Sequence, residues 1–206
     1  MSQQRLLICM APGSEEIEAV TVIDVMRRAG FDVTVASAAP DGTLTLTGSR
    51  GVVIVCDTTL AAVADQPFDC VVLPGGIDGA QCLGDSTLVT EIIKQQQSDQ
   101  AWVAAICAAP ALVLQRHQLF PTSHMSCHPS VSDRIPEQWL SRRRVMTDYD
   151  HRLITSQGPG SAMEFAIEIV HVLGGKKLAW QVAEPMMPLP QLHYEKKFTE
   201  SEAPRS

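Results

Sequence analysis

The sequence lacks the features that mark membrane, secreted and nucleic-acid-binding proteins. Its 206 residues contain no apolar run of the ~18 residues that a transmembrane helix requires. The N-terminal stretch MSQQRLLICMAPGSEE has too short an apolar segment for a secretory signal peptide and no clear cleavage site. The net charge of −7 at pH 7 predicts an acidic surface, which repels phosphate backbones. We therefore expect a protein that binds neither membranes nor nucleic acid.

The sequence also lacks closely paired cysteines. None of its six cysteines forms a CxxC motif, which disfavours a zinc cluster or a thioredoxin-type redox site. Without a secretion signal, we expect reduced thiols and a cytoplasmic protein, and we expect no metal site. Several cysteines lie inside apolar runs, as small hydrophobic side chains do. The six are Cys9, Cys56, Cys70, Cys82, Cys107 and Cys127.

Strand and helix patterns alternate along most of the chain. Apolar residues make up 45% of it, which is enough for a sizeable core. Such alternation predicts βαβ units, and hence a largely parallel sheet covered by helices on both faces. We expect one domain over residues 1–185 and a loosely attached tail over 186–206 that is rich in proline and charge. The pattern predicts strands over 5–10, 32–37, 69–76 and 101–106, a hairpin over 43–55, two strands within 143–158, and helices over 14–30, 86–97, 108–115, 161–174 and 176–183.

Three turns are expected at the carboxyl ends of the parallel strands, where open α/β sheets bind their ligands. They are APGSEEIE after the first strand, PGGIDGA after the strand over 69–76, and CAAP after the strand over 101–106. Ser14, in the first of these turns, is the expected N-cap of the helix that follows. The three turns are therefore candidates to form one site.

Cys107 occupies the junction of strand and helix in the stretch VAAICAAPALVL. A sharp turn of this kind, a nucleophile elbow, is crowded and favours small neighbours such as Ala105, Ala108 and Ala109. A helix N-terminus offers partial positive charge and unpaired N–H groups, so we expect it to lower the pKa of the thiol. The alternative is a buried structural cysteine at a strand end.

Backbone donors are expected opposite this thiol. Gly75 and Gly76 end a strand, and glycines there let N–H groups face a ligand. Together with the amide of Ala108 they are candidates for an oxyanion hole. The alternative is a turn that needs glycine for a positive φ, and both interpretations can hold at once.

Glu18 and His128 are the candidate proton carriers. Glu18 lies one turn into the first helix, on a stripe shared with Val22 and Val25. A carboxyl on a buried stripe has a raised pKa that suits acid–base chemistry near neutrality. His128, in SCHPS, lies in a loop that Pro129 stiffens. The alternatives are a partly exposed charge for Glu18 and a solvated loop histidine for His128.

The motifs APGSEEIEAVTVIDVMRRAG, VVLPGG, AAICAAP and TSQGPGSAMEFA together resemble the ThiJ/PfpI superfamily. Within it they are most similar to the branch of the parkinsonism-associated deglycase and bacterial YajL. The resemblance runs in order over residues 5–185. It implies a flavodoxin-like three-layer α/β sandwich with a mostly parallel central sheet, and a homodimer. Arg50, in TGSRGVV, matches an arginine that the family brings near its site at the dimer interface.

The resemblance also implies roles for the candidate residues. Cys107 would be the reactive nucleophile, and Glu18 a protonated carboxyl hydrogen-bonded to it. Gly76 and Ala108 match the backbone donors of the family's anion site. His128 matches a histidine near the cysteine, although not all relatives carry a histidine there.

One departure from the family pattern bears on the activity. The protease-like branch has a histidine directly after the nucleophile, whereas Ala108 follows Cys107 here, so peptidase activity is not expected. The branch without that histidine implies glyoxalase III activity, which converts methylglyoxal to lactate and glyoxal to glycolate without a cofactor. It also implies removal of early glyoxal adducts from protein side chains and protection against oxidative stress.

Other functions stay open. Cys107 could act as a redox sensor or chaperone through its own oxidation, without turnover. A glutaminase-like amidotransferase would need a late His-x-Glu, which His193 and Glu195 offer, although they lie beyond PMMPLP. No residue supports the thiamine thiazole synthesis that the ThiJ label suggests. Cys127, next to His128, is interpreted as a packing residue rather than a second reactive thiol.

Overall fold

Residues 3–187 are described by the structure, a computed structural model of the chain. Their centre is a β-sheet built from short segments, most of them apolar, close to where the sequence predicts them. The strands are β1 Arg5–Met10, β2 Asp32–Ser37, β3 Thr45–Thr47, β4 Val53–Val55, β5 Thr58–Thr59, β6 Cys70–Leu73, β7 Trp102–Ile106, β8 Val145–Asp148 and β9 Leu153–Ser156.

Seven of these strands form one sheet, in the order β5-β2-β1-β6-β7-β9-β8, and β3 and β4 pair as the predicted hairpin. The sheet is parallel except at its edge, where β8 runs antiparallel to β9. The central strands β1, β6 and β7 are almost completely buried, which explains their continuous apolar sequences. In β1, Leu6 lies opposite both Val33 and Cys70, so the carboxyl ends of these strands meet at one edge.

Helices cover the sheet in two groups. The four α-helices within residues 3–187 are α1 Glu16–Arg28, α2 Ile77–Asp85, α3 Thr87–Ser98 and α4 Ala162–Ala183. Helix α1 contacts α4, whereas α2 contacts α3 and a π-helical segment, Pro110–Gln115. The chain is therefore the flavodoxin-like three-layer α/β sandwich that was predicted. Short 3-10 helices lie at Leu60–Ala62, Pro129–Arg134, Glu137–Trp139, Pro159–Ser161 and Glu184–Met186.

The first helix is capped by a different residue from the one predicted. The N-cap is Glu15, whose side chain accepts a hydrogen bond of 2.8 Å from the Glu18 amide. The predicted cap, Ser14, turns back instead, and its Oγ accepts from the amide of Ala11 at 3.0 Å. The Ser14 prediction was wrong because a carboxylate one residue later can satisfy the free amides and complement the helix dipole.

Helix α2 differs from the prediction, whereas α4 agrees with it. Helix α2 is unpredicted, because the glycines and aspartate of PGGIDGA favour a turn. Gly79 lets this helix lie against Ser14, since a Cβ on Gly79 would come 2.5 Å from Ser14 Cα. The predicted helices over 161–174 and 176–183 are confirmed, because α4 consists of two helical segments that meet at a kink at Gly175, where φ is +83°.

The described part of the chain ends shortly after α4. No helix within residues 3–187 is long and apolar enough to cross a membrane. The predicted tail over 186–206 lies outside the described residues except for its first two positions. His193 and Glu195, the pair that a glutaminase-like site would need, lie there as well, so the proposed boundary at residue 185 stays a prediction.

Candidate active site

Cys107 lies at a strained turn directly after β7. Its φ is +64°, in the left-handed region, where a residue other than glycine costs roughly 1–3 kcal/mol. The turn is held by main-chain hydrogen bonds: the Cys107 amide donates to Ser156 at 2.9 Å, and its carbonyl accepts from the His128 amide at 2.8 Å. Because the neighbouring Ile106 and Ala108 are fully buried, the backbone has little room to relax. The thiol is thereby placed at the carboxyl edge of the sheet, with the residue 8% exposed.

Glu18 reaches the same place from α1. Its side chain is fully buried, and Oε2 accepts a hydrogen bond of 2.8 Å from the Gly75 amide. The other oxygen, Oε1, is buried and accepts no hydrogen bond from any residue between 3 and 187. A buried carboxylate oxygen without a donor is unfavourable, whereas a protonated carboxyl can itself donate from that oxygen. The arrangement therefore favours the protonated form of Glu18.

The pKa of Glu18 agrees with this geometry. Burial raises it from its ordinary value to about 7, and the hydrogen bond from Gly75 and the nearby Cys107 thiol oppose the rise only in part. The negative charge of Glu15, the N-cap residue, adds to it. Glu18 can therefore gain or lose a proton near neutral pH, as the sequence predicts for a carboxyl on a buried stripe.

The thiol does not follow the prediction made for it. Burial and the charge of Glu18 raise the pKa of Cys107 to about 12, and the amides of Gly76 and Ala108 lower it only in part. The predicted helix over 108–115 also begins later, as the π-helical segment Pro110–Gln115. The expected lowering of the pKa is thus wrong, because burial, the largest effect, outweighs the two amides. Once Glu18 takes up a proton, its charge no longer opposes the thiolate, and the two amides still favour it.

The glycine turn after β6 fits tightly between Cys107 and α1. A Cβ on Gly75 would collide with Cys107 Cβ and come 2.6 Å from Glu18 Oε2. Gly76 has a φ of +80°, and a Cβ there would meet the carbonyl oxygen of Gly13. The Glu15 amide donates to the Gly75 carbonyl at 3.0 Å, which ties this turn to the start of α1. Glycine is therefore required by both conformation and space.

His128 is near the cysteine through its backbone rather than its ring. Its amide bonds the Cys107 carbonyl, while its Nδ1 lies 2.7 Å from Ser130 Oγ. The ring passes close to Gly158, where a Cβ would come 3.3 Å from His128 Cδ2. Within residues 3–187 no hydrogen bond joins this ring to Cys107 or Glu18. A catalytic role for His128 thus stays a prediction.

Arg50 is positioned by a residue that sequence analysis did not single out. Glu16 is buried, and its carboxylate accepts hydrogen bonds from Ser49 Oγ at 2.8 Å, the Arg50 amide at 2.5 Å and the Val52 amide at 3.2 Å. Burial alone would raise the pKa of Glu16, but these hydrogen bonds lower it overall. Arg50 itself is exposed, and no hydrogen bond or ion pair joins its side chain to the site within the described chain. The only sequence feature that could have indicated this role of Glu16 is the doubled glutamate in SEEIE, which is equally typical of a helix start.

The remaining thiols and acids form no second centre around Cys107. Cys127 is buried, and burial raises its pKa to about 11, with the charge of Asp133 adding to the rise. This agrees with the interpretation of Cys127 as a packing residue. Within residues 3–187 no group of three or more His, Cys, Asp or Glu side chains could hold a metal ion. The chemistry of the site therefore rests on Cys107, Glu18 and the backbone amides around them.

Comparison with known proteins identifies this arrangement. The sequence model of the DJ-1/PfpI family matches residues 4–172. The chain belongs to the DJ-1/PfpI family. The ThiJ/PfpI resemblance of its motifs is thereby confirmed, and so is the fold that the family implies.

Three members of the DJ-1/PfpI family illustrate the similarity. The Parkinson disease protein 7 homolog of Danio rerio is 41% identical over 191 residues, which cover 91% of this chain and 98% of that protein. The glutathione-independent glyoxalase DJR-1.2 of Caenorhabditis elegans is 33% identical, covering 90% of this chain and 97% of the relative. The solved structure of oxidized Toxoplasma gondii DJ-1 is 38% identical and superposes with a TM-score of 0.86, covering 89% of this chain and 98% of the other.

Proposed function

We propose that the protein converts small dicarbonyls such as methylglyoxal to 2-hydroxy acids, using Cys107 as nucleophile and no cofactor. The observation that carries the proposal is the placement of the Cys107 thiol against a buried carboxyl, Glu18, whose pKa burial raises to about 7. A thiol and a proton carrier are the two groups that this isomerisation and hydrolysis need. A relative named as a glutathione-independent glyoxalase supports the assignment.

The reaction follows from the positions of these groups. The Cys107 sulfur attacks the aldehyde carbon of methylglyoxal, and the resulting oxyanion lies where the amides of Gly76 and Ala108 can donate to it. Glu18, in its ionised form, takes the thiol proton during the attack and gives it to the ketone oxygen. As a carboxylate again, it then moves the proton of the former aldehyde carbon to the neighbouring ketone carbon. This step reduces the ketone and oxidises the aldehyde carbon to a thioester. Water hydrolyses the thioester and releases lactate and the free thiol, so the net reaction adds one water.

The same thiol could act on glycated proteins. Early adducts of glyoxals on protein side chains present the same oxidation level of carbon as the free dicarbonyl. The Cys107 sulfur would bond to the adduct carbon as the side-chain amine leaves with a proton, and the later steps are then the same. The low exposure of Cys107, 8%, favours small molecules or a flexible side chain over a folded surface. We therefore assign deglycase activity and protection against oxidative stress to the same site. We also propose that the protein is cytoplasmic. Peptidase activity is disfavoured because Ala108, rather than a histidine, follows the nucleophile.

A homodimer is part of this proposal. Large apolar side chains are exposed on α1 and on the neighbouring hairpin strand β4: Ile17 at 57%, Val20 at 47%, Val53 at 59% and Val55 at 68%. An exposed apolar surface of this kind marks an interface. Arg50 is exposed on the loop of the same hairpin, so a partner seated on this surface would cover it.

Redox sensing is the second candidate, and the free oxygen of Glu18 favours it. Oxidation of the Cys107 thiolate to a sulfinate would add two acceptor oxygens next to the protonated Glu18, whose Oε1 has no partner in the reduced site. The chaperone-like role would depend on the same modification. A relative whose structure is described as oxidized agrees with this candidate.

Turnover of methylglyoxal by purified wild type, Cys107→Ser and Glu18→Gln tests the first proposal. Both variants should lose at least roughly 100-fold in kcat/KM, because nucleophile and proton carrier are both essential. Either variant at the wild-type rate would refute the mechanism. Mild peroxide followed by intact-mass measurement tests the second candidate, which requires Cys107 to gain two oxygens and Glu18→Gln to reduce the yield.

A further inference from the structure

A second cluster of reactive groups lies at the edge of the sheet opposite Cys107. Strand β8 runs antiparallel to β9, so Asp148 at its end pairs with Leu153 at the start of β9. His151 lies in the turn between these strands, and Thr122 lies in the loop that precedes the helix at Pro129–Arg134. Because Cys107 follows the carboxyl end of β7, the length of the sheet separates the two clusters. This cluster takes no part in the proposed dicarbonyl chemistry.

Three side chains in this cluster form a continuous relay. Thr122 Oγ1 lies 3.2 Å from His151 Nε2, and His151 Nδ1 lies 3.0 Å from Asp148 Oδ2. A carboxylate only accepts hydrogen bonds, so His151 Nδ1 carries a proton. In the neutral ring Nε2 is then the acceptor, and the Thr122 hydroxyl donates to it. Hydroxyl, imidazole and carboxylate thus stand in the order of a nucleophile, its base and the group that orients the base.

Hydrogen bonds fix the carboxylate of Asp148 in one orientation, as its role of orienting His151 requires. Ser123 Oγ donates to its Oδ2 at 2.7 Å, and the His151 amide donates to its Oδ1 at 3.1 Å. The side chain is 12% exposed. Burial alone would raise the pKa of Asp148, but the hydrogen bonds from Ser123 and His151 lower it overall. Asp148 is therefore ionised at neutral pH and fixes both the tautomer and the orientation of His151.

The nucleophilic end of the relay is open to solvent. Thr122 is exposed, and the His151 side chain is 36% exposed. We propose that Thr122, His151 and Asp148 form a second nucleophilic site, which takes the acyl group of small activated esters. This site goes beyond the proposed dicarbonyl activity and does not use Cys107.

The chemistry of this site balances without a co-reactant other than water. Thr122 Oγ1 bonds to the ester carbonyl carbon while its proton passes to His151 Nε2. The bond from that carbon to the leaving oxygen then breaks, and the leaving oxygen takes the proton from His151. Water, deprotonated by His151, next attacks the threonyl ester, which releases the carboxylic acid and restores the hydroxyl. No atom changes its oxidation state.

Acetyl transfer from p-nitrophenyl acetate tests this proposal in full-length protein carrying Cys107→Ala, which removes acylation of the Cys107 thiol. Release of p-nitrophenolate gives the rate, and peptide mass spectrometry locates the acetyl group. We expect acetyl on Thr122. Thr122→Val, which keeps the shape but lacks the hydroxyl, should abolish that acetylation and lower the rate at least about tenfold, whereas Thr122→Ser retains it. Asp148→Asn should lower the rate by up to as much as Thr122→Val does, because it removes the group that orients the base.

Two controls keep the outcome clear. Thr43 is also exposed but has no histidine partner among the described residues, so Thr43→Val should leave the rate unchanged. The Thr122 variants leave the His151–Asp148 pair in place, so they decide the question even if Asp148→Asn loosens the turn and lowers the melting temperature. Equal acetyl yield on Thr43 and Thr122, or an unchanged rate in Thr122→Val, would overturn the proposal. The three residues would then only stabilise the turn between β8 and β9.

Discussion

The Glu18 carboxyl and the Cys107 thiol both lie against the Cα of Gly75, in the space that a side chain there would fill. A Cβ at Gly75 would lie 2.6 Å from Glu18 Oε2 and 2.9 Å from Cys107 Sγ. The three residues come from α1, from the turn after β6 and from the turn after β7, three elements that are distant in sequence and meet at the carboxyl edge of the sheet. The close approach of acid and thiol to this turn therefore requires a residue without a side chain.

Gly75→Ala should consequently reduce the turnover of folded protein, and not only the fraction of protein that is folded. The new methyl group must displace Glu18 and Cys107 from their positions against Gly75, and a displacement of about 1 Å in an active site costs on the order of 100-fold in rate. Turnover of methylglyoxal measures this effect. Gly160→Ala is the matched control, because a Cβ there meets nothing within 4 Å, and it should keep the wild-type rate. A Gly75→Ala protein that keeps full turnover would show that this tight contact does not set the geometry.

The buried carboxyl of Glu18 also makes the stability of the fold depend on pH. Its pKa is about 7 in the folded chain against an ordinary value of 4.5, so the folded state holds the proton more tightly. The stability that the proton confers is fully present below pH 4.5 and is lost as the pH rises through about 7. Above that pH the ionised Glu18 costs roughly 3 kcal/mol.

Glu18→Gln should remove this dependence, because an amide does not titrate. Denaturant unfolding of wild type and variant at pH 5 and pH 8 measures it. We expect the stability of the variant relative to wild type to increase by roughly 2–3 kcal/mol between the two pH values. Glu91→Gln, a change of the same kind on an exposed face of α3, should show no such increase. The interpretation is wrong if the difference in free energy of unfolding between Glu18→Gln and wild type is the same at both pH values.

Sequence patterns predicted the sheet and the raised pKa of Glu18 well and the pKa of the Cys107 thiol poorly, for physical reasons that particular residues show. Continuous apolar runs such as those of β1 and β7 suffice to identify buried parallel strands. Helix α2 was missed because Gly79, a poor helix former, is present for its close approach to Ser14. The pKa of Cys107 was predicted in the wrong direction because burial by the packed fold raises it, and because the charge that adds to the rise, on Glu18, belongs to a different element.

Glu16 is expected to fix the loop that carries Arg50. Glu16→Ala leaves the Arg50 and Val52 amides without their acceptor, so these amides should exchange with solvent faster and the fold should lose roughly 2 kcal/mol. Hydrogen exchange resolved to single amides, together with denaturant unfolding, checks both effects. Ser49→Ala removes only the hydroxyl donor and should change exchange at neither amide. Unaltered exchange in Glu16→Ala would mean that the hairpin holds the loop without this carboxylate.

His128 should matter less to catalysis than Cys107 or Glu18. Its contact with the cysteine is a backbone hydrogen bond, which His128→Ala keeps, while its ring bonds to Ser130. A histidine that transferred protons in the reaction would contribute on the order of 100-fold or more. We therefore expect His128→Ala to lower kcat/KM for methylglyoxal by less than about tenfold, against the far larger loss expected for Glu18→Gln. A loss as large as that of Glu18→Gln would instead require the ring to turn away from Ser130 and reach the substrate during the reaction. In that case Ser130→Ala, which frees the ring, should raise the rate rather than leave it unchanged.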